Sequence, residues 1–138
     1  MQTKKKKGKN KMNNTYNNPD SNPESQPSEA LAKVADNLRK VQANIPQGVQ
    51  LVAISKFHPN EYIQAAYDAG QRVFGESHEQ ELAKKVTSLP KDIKWHFIGH
   101  LQTNKVKYIA PYISMIEAVD SLKLLKEINK QAAKHDRV

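Results

Sequence analysis

A lysine at the end of a short apolar run offers the clearest chemistry in this sequence. Residues 51–55 are small or branched, a run long enough for a buried strand and too short to span a membrane. Lys56 follows at once and Pro59 ends the run, so we expect Lys56 where a strand leaves a sheet. Ligands bind at that edge of parallel sheets, and partial desolvation frees a lysine amine to attack a carbonyl carbon. The alternative is an ordinary surface lysine at a strand end.

Polar groups also follow three later apolar runs, at 72–75, 94–99 and 113–119. If the strands are parallel, their carboxyl ends share one edge of the sheet. The residues expected at that edge are Ser55, Lys56, Gly75, Glu76, Ser77, Gly99, His100, Asp120 and Ser121. Helices that begin there attract anions through their free N–H groups. An amine beside such helix ends suits a phosphorylated aldehyde, and pyridoxal phosphate is one, bound by lysine as a Schiff base.

A repeating unit positions these groups. Predicted strands start near 51, 72, 94, 114 and 137, and each is followed by a polar loop and a helix. This spacing predicts right-handed βα units and a parallel sheet of the α/β class. Four complete units, with a fifth strand starting at 137–138, predict the first half of a (β/α)8 TIM-type barrel, because a whole barrel needs about 250 residues. We therefore expect a fragment, and the alternative is a complete, open, doubly wound sheet.

Start and stop signals place helices at about 28–45, 59–69, 78–88 and 101–109, with a last helix after 121. The residues expected to set helix ends are Ser28, Gly70, Ser77 with Gln80 as a capping box, and Asp120 or Ser121. In the last helix Leu122, Leu125 and Ile128 form an apolar stripe. We interpret the stripe as core packing rather than a partner surface.

Two histidines four residues apart raise the question of a metal site. His96 and His100 flank a predicted strand and a glycine turn, and four strand steps cover about 13 Å, too far for one shared ion. We therefore expect no metal. His96 either faces the barrel interior or is a hydrogen-bonded core histidine.

Glu76, Glu79 and Glu81, with His78, resemble an acid–base cluster. A charged first helical turn, favoured by the helix dipole, explains them more simply, and we predict no catalytic residue among them.

Composition divides the chain in two. Residues 1–28 hold six lysines, many asparagines and few apolar side chains, which predicts a disordered tail before a domain at 29–138. The tail carries half of the net charge of +8; we expect it to be solvated, although RNA or ribosome binding through it is the alternative. Cysteine is absent, which fits a reducing cytosol. We expect no membrane partner.

Several motifs over 29–138 resemble a known family. They are Ala53-Ile54-Ser55-Lys56, Phe74-Gly75-Glu76-Ser77, Gln80-Glu81, the run WHFIGHLQTNK at 95–105 and Val119-Asp120. Together they resemble the pyridoxal phosphate homeostasis proteins, a family similar to the N-terminal barrel domain of alanine racemase.

The resemblance implies a cytoplasmic barrel, monomeric at full length, that holds pyridoxal phosphate as a Schiff base on Lys56. It implies delivery of the cofactor to apo-enzymes that use it, with no established reaction; the alternative is a racemase-like enzyme acting on amino acids. Ser77 and His96 are further candidate cofactor contacts, Ser77 standing where many members carry asparagine. In the family, later barrel loops form the phosphate cup.

Overall fold

The computed structural model describes residues 27–138, so nearly all of the predicted tail lies outside the described residues. Helices and strands alternate along the chain. The elements are α1 Pro27–Ala43, β1 Ala53–Ile54, α2 Asn60–Asp68, β2 Val73–Glu76, α3 Glu79–Ser88, β3 Lys94–Phe97, a 3-10 turn Thr103–Lys105, α4 Val106–Ile109, β4 Ile113–Ile116 and α5 Leu122–Lys134.

The four strands form one parallel sheet in the order β1-β2-β3-β4. Ala53 pairs with Phe74, Phe74 with Trp95, and Trp95 with Ile113. The predicted parallel sheet is confirmed. Strands that neighbour one another in sequence order are those of a barrel, whereas a doubly wound sheet reverses its order part-way.

One face of the sheet packs against the helices. Phe74 and Trp95 meet there with ring centroids 5.9 Å apart. The buried apolar residues of this layer include Leu38, Ile63, Phe74, Leu82, Trp95, Phe97, Val106, Ile109 and Leu124. The other face carries Ile54, which is half exposed, and Gly75, where an added Cβ would lie 3.1 Å from Ile54 Cδ1.

Helix ends confirm some of the predicted signals and correct others. Gly70 has φ +104° directly after the C-cap of α2, and the Ser121 hydroxyl caps α5 by accepting from Leu124 N at 3.1 Å. Ser28 was wrong as a cap because α1 already begins at Pro27, whose missing N–H is not needed in a first turn.

The capping box predicted from Ser77 and Gln80 is also wrong. The N-cap of α3 is His78, and its side chain makes no capping hydrogen bond. The reason is that β2 extends to Glu76, and Ser77 lies against Gly99 of the neighbouring loop: a Cβ on Gly99 would lie 2.7 Å from Ser77 Cβ.

The stripe predicted as core on α5 is wrong for two of its leucines. Leu122 is 66% and Leu125 50% exposed, whereas Leu124 is 1% exposed. The buried face is therefore centred on Leu124 and Gln131. Ile128 alone of the stripe packs against the core. Leu125 instead borders an apolar groove beside β4, which pairs with one neighbour only among the described strands.

No strand is assigned at 137–138 within the described residues. The Arg137 guanidinium folds back instead and donates to the carbonyl oxygens of Pro111, at 2.7 Å, and Ile113, at 2.6 Å. Over residues 27–138, no helix is both long and apolar enough to cross a membrane.

Candidate functional site

Lys56 lies in a turn two residues after the end of β1, at the carboxyl edge of the sheet where the sequence predicts it. The turn is closed by His58 N, which donates to Ser55 O at 3.1 Å. Lys56 is exposed. Its neighbour Phe57 has φ +63°, a left-handed backbone conformation that is uncommon for a bulky side chain. The amine is thus presented on a tight turn with a strained neighbour.

A buried ion cluster lies directly behind this turn. Lys85 Nζ donates to Glu76 Oε1 and to Glu81 Oε1, each at 2.6 Å, and to Ser55 O at 2.7 Å. Glu76 is fully buried and Lys85 is 4% exposed. We refer to Glu76, Glu81 and Lys85 as the ion cluster.

Every polar group of Ser55 is engaged. Its N donates to Gly75 O at 3.0 Å, and its hydroxyl donates to Glu76 Oε1 at 2.6 Å. Its carbonyl accepts from Lys85 and from His58. The residue before Lys56 is therefore fixed to β2 and to the ion cluster at once.

Glu81 links the ion cluster to the other side of Lys56. Its Oε1 accepts from Phe57 N at 2.7 Å as well as from Lys85. Burial opposes ionisation of this carboxyl, but the hydrogen bonds from Lys85 and from Phe57 N outweigh burial and lower its pKa below the usual value. Glu81 is therefore a charged acceptor at neutral pH.

The interpretation of the glutamates as a charged first helical turn needs correction. Glu76 is the last residue of β2 and is fully buried, so the dipole of α3 does not explain why a glutamate stands at this position. Glu79 and Glu81 do lie in the first turn of α3. Each is bound by a lysine: Glu79 Oε1 lies 3.0 Å from Lys105 Nζ, and this hydrogen bond lowers the pKa of Glu79.

Ser77 lies one residue beyond β2, in contact with Gly99. It shares a surface cleft with His78, His100 and Lys105. The close approach of Ser77 and Gly99 joins the loops that follow β2 and β3.

His96 is buried on β3, opposite Gly75 in the register of β2 and β3. Its Nδ1 lies 2.7 Å from Glu117 Oε1, just beyond β4. His96 is therefore a hydrogen-bonded histidine, which was one alternative from the sequence. It also lies on the face of β3 opposite Trp95 and Phe97, which pack against the helices, so it does not point into the helix-packed core.

His96 and His100, the two histidines considered as metal ligands from the sequence, have different acidic partners. His96 bonds to Glu117, whereas His100 Nδ1 lies 3.5 Å from Asp120 Oδ2. Within residues 27–138 no group of three or more potential ligands lies close enough to hold a metal ion.

Lys56 and Ser77 thus follow the carboxyl ends of β1 and β2, whereas His96 lies within the neighbouring strand β3. Sequence reasoning missed Lys85. A signal was present, because Leu82 and Lys85 on α3 and its C-cap residue Leu89 recur at helical spacing and are all buried. A lysine inside an apolar stripe, with Glu81 four residues before it, indicates a buried ion pair.

Comparison with known proteins identifies relatives over the same part of the chain. The alanine racemase N-terminal domain family matches residues 30–138. A pyridoxal phosphate homeostasis protein of Aquifex aeolicus is 39% identical over 114 residues, which are 80% of this chain and 50% of that protein. One of Schizosaccharomyces pombe is 49% identical over 85 residues, 60% of this chain and 36% of that protein.

A solved structure is also similar to this chain. PipY of Synechococcus elongatus, solved with pyridoxal phosphate bound, matches with a TM-score of 0.70 and 39% identity over 75% of this chain and 50% of PipY. The chain therefore spans between one third and one half of the length of these relatives. It corresponds to the N-terminal part of their barrel, as the sequence predicts. The chain belongs to the family of alanine racemase N-terminal domains.

Proposed function

We propose that the protein binds pyridoxal phosphate through Lys56 and serves in pyridoxal phosphate homeostasis without catalysing a reaction of its own. The observation that carries the proposal is the placement of Lys56, an exposed amine at the carboxyl edge of a parallel sheet, on a turn fixed on both sides. The relatives' printed names and the ligand of PipY support the choice of cofactor.

The covalent step needs only the amine. Lys56 Nζ, unprotonated, attacks the aldehyde carbon, so that a C–N bond forms. The nitrogen gives up two protons, the carbonyl oxygen leaves with them as water, and the C=N bond of the Schiff base remains. No electrons are exchanged, and water reverses the step, which suits a protein that holds and releases a reactive aldehyde.

The proposal assigns two of the described residues to the aldehyde end of this cofactor. The Ser77 hydroxyl offers one donor and one acceptor beside the loop of Gly99, and the His96 ring is oriented by Glu117. Bound to Lys56, pyridoxal phosphate supplies an electron-withdrawing ring. In the proposal Ser77 and His96 orient that ring, while Lys56 holds it.

The phosphate end needs groups other than the first turn of α3. That turn carries Glu79 and Glu81, whose charges oppose the attraction of a helix N-terminus for an anion. The proposal therefore assigns the phosphate to loops that follow later strands in the relatives' barrel, as phosphate sites of barrels commonly are.

The proposal also names the recipients of the cofactor, the location of the protein and the absence of a reaction. Apo-enzymes that require pyridoxal phosphate are the proposed recipients, and the cytoplasm is the proposed location. The absence of a reaction is supported by the names of the relatives, which are homeostasis proteins rather than enzymes.

The test is borohydride reduction of the whole gene product mixed with pyridoxal phosphate, followed by peptide mass spectrometry. We expect the reduced adduct on Lys56, loss of the adduct in Lys56→Ala, and an unchanged adduct in Lys84→Ala, an exposed lysine of α3. Equal labelling of Lys56→Ala and wild type would refute the assignment. Sustained turnover of amino acids by the loaded protein would favour the racemase-like alternative instead.

A further inference from the structure

We infer that Lys85, together with Glu76 and Glu81, is a positioning device that fixes the Lys56 turn for cofactor binding. The inference rests on the proposed function of Lys56. It assigns a task to a buried lysine and to the two carboxylates bound to it.

The ion cluster holds both neighbours of Lys56. Lys85 Nζ donates to the carbonyl of Ser55, and Glu81 Oε1 accepts from the N–H of Phe57. Because Lys85 and Glu81 are also joined at 2.6 Å, one connected group holds the backbone before and after Lys56.

The cluster holds Phe57 in an uncommon backbone conformation. Phe57 at φ +63° occupies a backbone region in which a free chain spends little time. The bond from Phe57 N to the charged Glu81 offsets that cost. Without this acceptor we expect the turn to sample other conformations and to present Lys56 in more than one direction.

Lys85 is unsuited to be the nucleophile that attacks the aldehyde. All three of its donor positions are filled by oxygens at 2.6–2.7 Å, and the side chain is buried. An amine that is buried and donates to three oxygens at once is closed to an incoming aldehyde. The exposed Lys56 and the buried Lys85 therefore divide the tasks of reaction and positioning.

The experiment compares Glu81→Ala, which removes the acceptor of Phe57 N–H, with Glu81→Gln, which retains an oxygen acceptor. Gln80→Ala, an exposed neighbour on α3, is the matched control. The first measurement needs no cofactor and is the exchange rate of the Phe57 amide hydrogen, followed by NMR in the whole gene product. The second is the pyridoxal phosphate concentration that gives half-maximal borohydride trapping on Lys56.

For Glu81→Ala we expect faster exchange at Phe57 and about a tenfold higher half-maximal concentration, the order expected when one backbone residue must be fixed on binding. Glu81→Gln should restore most of both properties, and Gln80→Ala should match wild type. Should Glu81→Ala fail to fold, Ser55→Ala removes the hydroxyl, with its bonds to Glu76 Oε1 and Gly75 O, and should weaken trapping about threefold.

Trapping of Glu81→Ala, or of Ser55→Ala in its place, at the wild-type concentration would overturn the inference, as would an unchanged exchange rate at Phe57 in Glu81→Ala. A wild-type protein that takes no cofactor on Lys56 would overturn the proposed function instead, and the exchange rates would still decide whether the ion cluster holds the turn.

Discussion

Lys85 Nζ lies 2.6 Å from Glu76 Oε1, and both side chains are almost wholly buried between β2 and α3. Glu76 Oε1 accepts from Lys85 and from Ser55, while among the described residues its Oε2 has no partner. The charge of Glu76 is therefore balanced by Lys85, a residue nine positions later in the chain.

Removal of this lysine should strongly destabilise the fold. Lys85→Met keeps most of the volume but leaves Glu76 buried without a cation, and breaking a buried pair in this way costs about 3–5 kcal/mol. Lys84→Met, on the exposed side of the same helix, should change the free energy of unfolding by less than about 0.5 kcal/mol. Urea unfolding of the two variants measures the difference, and equal midpoints would contradict the predicted role of the pair.

Gly99→Ala should separate the loops after β2 and β3. The new Cβ would lie 2.7 Å from Ser77 Cβ and 3.1 Å from Ser77 Cα, so the backbone must move. Overpacking of this kind costs about 1–3 kcal/mol. Thermal unfolding checks the loss. Because Ser77→Gly removes the nearest contact, adding it to Gly99→Ala should recover part of the stability, and no recovery would place the strain elsewhere.

Acid should weaken the fold through Glu79 and Glu81. Hydrogen bonds to lysines lower the pKa of both carboxyls below the usual 4.5, despite the opposing effect of burial at Glu81. A lowered folded-state pKa means that the stabilisation is complete above 4.5 and is lost as the pH falls through the lower folded value. We therefore expect the free energy of unfolding to fall below that pH, and the fall to be smaller in Glu79→Gln and in Glu81→Gln. An equally steep fall in both variants would assign the acid sensitivity to other groups.

Two adjacent leucines of α5 should respond differently to truncation. Leu124→Ala removes a side chain that is 1% exposed and should cost about 2–5 kcal/mol in the 138-residue chain. Leu125→Ala removes one that is half exposed and should cost less than about 1 kcal/mol. Chemical denaturation of both variants provides the comparison, and a larger loss for Leu125→Ala would restore the stripe predicted from sequence as the buried face.

The order of the fold could be predicted because it depends on local signals. Apolar runs about 20 residues apart, separated by helical patterns and stops such as Gly70, specify parallel neighbours. The placement of Lys56 follows from the same signals, since the residue after an apolar strand lies at the edge of the sheet.

The surroundings of Lys56 could not be predicted in the same way. Helical spacing indicates a buried Lys85 paired with Glu81, but the other partners, Glu76 on β2 and the carbonyl of Ser55 after β1, lie outside α3. Local propensity carries no information about such pairings. The capping box at Ser77 failed for a similar reason, because contact with Gly99 determines that loop.

The sequential order of the four strands also determines how the sheet can assemble. Each strand pairs with the one before it, roughly 20 residues earlier, so each new pairing closes only a short loop. Pairing between such near neighbours closes shorter loops than pairing between distant strands would, and it can follow synthesis from the N-terminus. Strand β2, which carries the Gly75 and Glu76 partners of Ser55, can therefore pair with the residues before Lys56 ahead of the translation of α5.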